Sequence, residues 1–496
     1  MEFTRRQFLS TSLKGMTVFS TAATMPTWIS RSAEAAGLGF GKGKRLVILQ
    51  QGGGNDGLNT IIPFEDDLYM GDALRPNLHI TSGFENLKLD ALNALHPRLA
   101  DLKKWWDKGH MAVVQNVGYP NPNLSHFTST DFWERGTSPG SNLQTLQGWA
   151  SRYFDNQCAG MPAESIDPLS MLGAGLAFVP NAIDGSGLYR PPAVPDFDAY
   201  ILRAPNNAIG ELRLEFIRRV NELAPASSEV DFLQRSAAIA RASVEDMATA
   251  AAVPQINEYN TDQLGKGLDM VSRVIRAGFP TPVFYVTQSG YDTHANQWGT
   301  DPATTGDHPA LLSSFNKNVN AFLSDMEQSG NLDDVLVLTF SEFGRRVAEN
   351  ASNGTDHGAA NSLMVFGGQV RKGIYGGQPD LSDLILGNLK HRIDFRAVYA
   401  RVLRYWLDVD PRPILGAADY NDPRFNIPDA IRQIPFVGPD LLGDINNDGA
   451  VNAADVQLVL NASLRRGNRN IPTDITGDGA TGADDIQKIV NLVLDR

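Results

Sequence analysis

The sequence predicts an α/β fold organised around an open sheet, and three observations carry that reading. Apolar runs such as Leu46 to Leu49 and Met111 to Val114 show no period-2 alternation, the mark of strands covered on both faces. Segments with apolar residues at helical spacing lie between later runs, so helix and strand alternate along the chain. The loops after the runs collect Asp, His, Glu, Ser and Gly, and in open α/β sheets ligands bind outside the strand ends.

The first strand lies in Arg45 to Pro63, RLVILQQGGGNDGLNTIIP. Its glycines allow a sharp turn and close backbone approach, and Asp56 follows with Asn55 and Asn59 beside it. Asp56 there can either hold a hard or borderline metal ion or cap a tight turn. Pro76, Leu78 and Ile80 suggest a turn and short strand, and Leu89 to Leu102 has helical spacing around His96 and Pro97. A second strand spans Met111 to Gly118 and opens into a loop containing Ser125 and His126. Ser125 can cap the helix starting near His126 or act as a nucleophile, since a helix start also favours a phosphoryl or sulfuryl group.

Gly148 to Pro205 is rich in Pro, Gly and Ala without period and reads as a loop-rich insertion. Helices are expected over Leu212 to Leu223, Glu229 to Ala251 and Asp262 to Ala277, leading into a third strand from Pro282 to Thr287. Its loop carries Asp292 and His294, whose carboxylate and imidazole can converge on one cation. A helix from Ala310 to Gln328 and a strand from Asp334 to Phe340 follow, and then Glu342, Arg345 and Arg346. Glu342 can ligate a metal, and either arginine can grip an anion with a bidentate fork. Asp356 and His357 lie between Gly354 and Gly358, before a strand from Asn361 to Gly367 and a helix from Phe395 to Leu407. His308, beside Asp307, is a reserve candidate at a helix start.

Composition sets the outer limits. With 496 residues and 42% hydrophobic content the chain has ample material for a large core plus an appendage. Forty-three basic against 56 acidic residues give a net charge of -13, which argues against nucleic-acid binding. Cys158 is the only cysteine, so neither an intramolecular disulfide nor a thiolate metal cluster can form. Thr4 to Leu9, TRRQFL, resembles the twin-arginine export motif; a mildly apolar region and a small-x-small site at Ala33 to Ala35 follow it. Residues 1–35 are therefore expected to be a signal peptide directing export to the periplasm, cell surface or exterior, and no membrane span is expected in the mature chain.

The motifs GGGNDGLNT, PNPNLSHF, GYDTHANQ, TFSEFGRR and GTDHG together resemble a bacterial exported family of the alkaline phosphatase and sulfatase superfamily, over roughly Lys44 to Leu407. The resemblance implies a doubly wound α/β sandwich with a mostly parallel sheet, spanning residues 36–437. It also implies Zn²⁺, Mg²⁺ or Mn²⁺ at the strand ends and a small anionic ester as substrate. On that pattern Asp56 is a metal ligand and Ser125 the nucleophile, with Arg345 offsetting charge on the ester. Asp292, His294 and His357 hold one cation, with Glu342 near a second. The chain departs from the superfamily where Glu342 and Phe343 replace an Asp-His pair, and His126 or Asp356 are the substitute ligands.

Residues 438–496 carry a repeated calcium-loop pattern. Asp444, Asn446, Asp448, Ala450, Asn452 and Asp455 occupy positions 1, 3, 5, 7, 9 and 12 of a twelve-residue oxygen-ligand loop, with Gly449 at position 6. Thirty residues on, Asp474, Thr476, Asp478, Ala480 and Asp485 repeat it, with Gly482 at position 9, and each loop precedes an apolar-spaced helix. The pair resembles a type I dockerin, which implies bound Ca²⁺ and a cohesin-containing scaffold protein as partner. The reading that follows is an exported metal-dependent hydrolase of phosphate or sulfate esters with a docking tail. A non-catalytic secreted binding protein and a carbohydrate-active component of a cohesin-dockerin assembly are the alternatives.

Overall fold

A computed structural model of the chain describes residues 43–161, 166–167, 169–186, 189–198, 200, 215, 219, 227–438, 443–445, 451–464, 473, 475 and 481–494. Among them, nine strands form one mixed sheet: β1 (Arg45–Gly52), β2 (Met111–Gly118), β3 (Met171–Ala174), β4 (Ala193–Val194), β5 (Val283–Ser289), β6 (Val335–Phe340), β7 (Asn361–Phe366), β8 (Gly373–Tyr375) and β9 (Ile393–Asp394). The order across the sheet is β8-β2-β7-β6-β1-β5-β3-β4, with β9 also pairing β2. Only β7 runs against its neighbours, so β1, β2, β5 and β6 all point their carboxyl ends to one edge.

The main helices are α1 (His126–Arg135), α2 (Trp149–Gln157), α3 (Ser228–Ala251), α4 (Gln263–Arg276), α5 (Asp307–Gln328), α6 (Phe395–Tyr405), α7 (Ile427–Gln433), α8 (Ala453–Ser463) and α9 (Ala483–Leu494). Successive residues of β1 enter opposite cores: Val47 and Leu49 pack with α4 and α5, whereas Leu46 and Ile48 pack with α2 and α6. The same alternation in β2 and β6 makes both faces of the sheet apolar, which is why these strands read as continuous hydrophobic runs. Helix starts follow local capping: Asp262 accepts from Gly265 N at 2.8 Å to begin α4, and Asp394 accepts from Arg396 N at 3.0 Å to begin α6.

Three expectations change. Leu89 to Leu102 is a two-residue strand, Ala94–Leu95, and then a 3₁₀ segment, Pro97–Leu102. Pro97 fixes the start of that segment and the His96 ring accepts from Arg98 N at 3.0 Å, so a single helix cannot run through. Residues 76–80 are turns and bends rather than a strand. Gly148 to Pro205 is more than a loop, since it supplies α2 and the two strands that extend the sheet beyond β5. The expected signal peptide lies outside the described residues, as does all of the Leu212 to Leu223 helix apart from Glu215 and Arg219. No helix among the described residues is long and apolar enough to cross a membrane.

The C-terminal segment has its own small core of Ile445, Val451, Val459, Ile475 and Ile489. Asp455 accepts from Ile445 N at 2.7 Å and Asn452 N at 2.9 Å, and thirty residues later Asp485 accepts from Ile475 N at 2.7 Å and Gly482 N at 2.8 Å. The internal repeat thus has matching local geometry. Asn446, Asp448, Ala450, Asp474, Thr476, Asp478 and Ala480 lie outside the described residues.

Candidate metal centre

The glycines after β1 let three loops close on one another. Gly53 has φ +124°, and a Cβ there would sit 2.3 Å from Asp292 N, so a side chain would force the β1 and β5 loops apart. Gly53 N donates to Glu342 Oε1 at 2.9 Å, and Gly54 N and Asn55 N donate to Ser341 Oγ at 3.1 and 3.0 Å. On the β2 side, Tyr119 holds Asn123 through its hydroxyl, and Ser129 Oγ donates to Glu342 O at 2.5 Å, which seats α1 over the β6 loop.

Imidazoles and a carboxylate converge in this enclosure. One ligand atom each from His126, Asp292 and His357 lie within 4.8 Å of one another. His357 Nε2 is 3.1 Å from Asp292 Oδ1, and His126 Nε2 is 3.3 Å from Asp292 Oδ2. His294 joins through Nε2, 2.9 Å from His357 Nε2 and 3.2 Å from Asp292 Oδ1. The other ring nitrogens all face oxygen: His126 Nδ1 meets Glu342 Oε1 at 2.8 Å, His294 Nδ1 meets Asp356 Oδ1 at 3.2 Å, and His357 Nδ1 meets Leu124 O at 2.8 Å.

These acceptors assign the proton of each neutral ring to Nδ1, leaving the Nε2 lone pairs turned toward one another and toward a carboxylate. Such a set repels itself unless a cation or extra protons intervene. Ligands about 2.0–2.1 Å from a tetrahedral ion stand about 3.3 Å apart, close to the separations seen. The residues therefore fit a divalent metal, with Glu342, Asp356 and the Leu124 carbonyl in the supporting role that orients ligand imidazoles.

The charges agree. Burial works to raise the Asp292 carboxyl, but the hydrogen bond and the charge of Arg345 bring it down to about 2. The hydrogen bond to Glu342 raises the His126 pKa, whereas burial lowers that of His357. Asp292 and His294 remain nearly half exposed, so the cluster is open to solvent on one side.

Several expected roles take a different form. Asp56 stands apart from the cluster as a buried N-cap: its carboxylate accepts from Arg75 Nη1 at 2.7 Å, Gln297 Nε2 at 2.6 Å and Asn59 N at 3.4 Å. Burial would raise its pKa, but Arg75 and His308 lower it, so an ionised and fully engaged carboxylate replaces the expected metal ligand. Arg345 has no exposed side-chain surface, and its guanidinium donates to Gly53 O, Gly54 O, Tyr291 O, Thr355 O and Asp292 Oδ1. It positions Asp292 from a site that solvent does not reach. Glu342 and Asp356 each face the Nδ1 of an imidazole in the cluster, His126 and His294 respectively.

Ser125 is exposed at the N-cap of α1, and no side chain caps that helix. Buried His308 lies beside Asn55 instead, with Nε2 3.0 Å from Asn55 Oδ1, and burial holds its pKa down to about 4. Sequence reasoning gave no role to Arg75, Gln297, Ser341 or Asn350: Gln297 and Ser341 lie within GYDTHANQ and TFSEFGRR, but the partners of Arg75, Gln297 and Ser341 are 19, 241 and 287 residues away, and Asn350 donates to Asp356 from outside every motif.

Fold and site together define an α/β protein with an imidazole-carboxylate cluster at the carboxyl edge of a mostly parallel sheet. The family described as "Protein of unknown function (DUF1501)" matches residues 109–405, and the chain belongs to that family. No curated protein matches it.

Among solved structures it is similar to a protein in the alkaline phosphatase superfamily from Vibrio parahaemolyticus, with 12% identity and a TM-score of 0.31 over 67% of this chain and 62% of that one. The chain thus spans less than two thirds of that relative. It is also similar to the lipoteichoic acid synthase LtaP from Listeria monocytogenes, with 10% identity and a TM-score of 0.29 over 70% and 74% of the two chains. A third likeness is to the PsFucS1 sulfatase from Pseudoalteromonas sp., with 10% identity and a TM-score of 0.35 over 84% and 75%.

Proposed function

We propose that this chain is a hydrolase of phosphate or sulfate esters that works with one divalent cation held by His126, Asp292, His294 and His357. The observation that carries the proposal is the common orientation of the three imidazoles, each with Nδ1 on an oxygen acceptor and Nε2 toward the cluster. When bound, such a cation supplies Lewis acidity and makes a nearby hydroxyl a better nucleophile near neutral pH.

The chain's own residues supply the remainder. Ser125 is the nucleophile of the proposal, exposed at the start of α1 and adjacent to the ligand His126. The uncapped N–H groups of that helix turn favour the anionic part of an ester. Glu342 holds His126, and Arg345 keeps Asp292 ionised and aimed. Export by the twin-arginine route, two calcium sites in residues 438–496 and attachment to a cohesin-like partner complete the proposed biology; the repeated loop pattern supports the calcium part.

The test is elemental analysis and turnover on the same full-length preparation. Expected are one Zn²⁺, Mg²⁺ or Mn²⁺ per chain besides calcium, hydrolysis of aryl phosphates or aryl sulfates, and loss of turnover in Ser125→Ala at unchanged metal content. A metal-loaded protein inert on both panels would sink the hydrolase and leave a metal-binding platform.

A further inference from the structure

We infer that Gln297 is a positioning residue for the metal centre: its buried amide fixes the separation of the loops carrying His294 and His357, and the Asp56–Arg75 pair sets the amide's orientation. This rests on the metal reading proposed above.

Gln297 is fully buried, and its Oε1 accepts from both Thr293 Oγ1 at 3.1 Å and Thr355 Oγ1 at 2.6 Å. Thr293 precedes His294 in the chain; Thr355 precedes Asp356, which holds His294 Nδ1, and then His357. One carbonyl oxygen therefore joins the two loops just beneath the ligands. Direct backbone links between them are longer, with Thr355 N to Thr293 O at 3.2 Å and Asn296 N to Ser352 O at 3.3 Å.

The amide has one orientation available. Its Nε2 donates to Asp56 Oδ2 at 2.6 Å, and a carboxylate can only accept, so the carbonyl must face the threonines. Asp56 is anchored in turn by Arg75, which also donates to Val347 O at 2.6 Å and Arg346 O at 3.0 Å. Those carbonyls directly follow Arg345, the residue that holds Asp292, so the brace runs from the β6 loop to both histidine loops. Asp56 thereby acts on the centre through Gln297 without touching it. Ligands serve a metal well only when held to within about half an ångström, and losing an orienting partner typically costs 10- to 100-fold in metal affinity.

The experiment uses the full chain in excess Ca²⁺, so that the C-terminal loops do not take up the probe, and titrates Co²⁺ against a competing chelator while reading the visible ligand-field bands. Gln297→Met keeps volume and removes both hydrogen-bonding ends, and Thr355→Val removes one donor. Gln297→Met is expected to weaken Co²⁺ binding about 10- to 100-fold and to alter the bands, with a smaller change in the same direction for Thr355→Val. Val402→Ala, in the fully buried interior of α6 on the other face of the sheet, should lose stability and keep both affinity and spectrum. If Gln297→Met does not fold, Thr355→Val carries the test. Wild-type affinity and spectrum in the folded variants would overturn the brace and leave the metal centre standing; a wild-type chain that takes up no Co²⁺ would overturn both.

Discussion

Arg345 places a full charge where no solvent reaches it, among four backbone carbonyls and one carboxylate. The ion pair itself contributes little, because Asp292 is 47% exposed. The carbonyls matter more, since each buried acceptor left unpaired costs about 1–3 kcal/mol. Arg345→Met should therefore lower the melting temperature by roughly 5 °C or more and release bound metal, whereas Arg346→Met, at an exposed position, should melt like the wild type. Thermal unfolding followed by circular dichroism decides it; an Arg345→Met protein with wild-type melting that fails only in turnover would restore Arg345 to substrate binding. The sequence placed charged residues at the right strand ends but could not divide their labour. Whether Asp56 faces a metal or a guanidinium depends on Arg75 and Gln297, which lie 19 and 241 residues away; Arg75 is in none of the motifs, and Gln297 closes GYDTHANQ without that motif showing what it faces.

At the scale of elements, α1 carries His126 at one end and a buried acid at the other. Burial pushes the Glu134 carboxyl up to about 7, although Tyr285 OH donates to it at 2.6 Å. From its ordinary value of 4.5 up to about 7, the folded chain keeps a proton that the unfolded chain has released. Stability should then fall as pH rises through that window, by on the order of 3 kcal/mol in total. Glu134→Gln can still accept from Tyr285 and cannot ionise, so urea unfolding between pH 4.5 and 7.5 should show a flatter dependence in that variant. Equal slopes in the two proteins would mean that Glu134 stays charged in the fold. The long strands were legible because both their faces are apolar, as in Val335–Phe340. β3 and β4 were not: four and two residues carry no period, and their pairing with β5 and with each other is decided by the sheet.

For the whole molecule, the three apolar clusters among the described residues set what unfolds with what. Two lie against opposite faces of the one large sheet and share its strands, so they should melt together; the third belongs to the C-terminal repeat and is small. Among the described contacts, Arg432 on α7 donates to Asp444 O at 2.5 Å and so links the repeat to the main domain through the first loop. Among the described residues the core of the repeat has five buried residues, small for a module without a further constraint, and bound calcium is the constraint its loop pattern offers. Calorimetry of the full chain should thus show a small transition that disappears when EGTA removes calcium and a large one that moves by only a few degrees. Calcium titration should resolve two steps, the weaker at the second loop, because Gly482 lacks the side-chain oxygen that Asn452 supplies in the first. Asp485→Ala should remove the weaker step and leave the stronger one. Collapse of the large transition on calcium removal would instead make the repeat an integral part of the main fold.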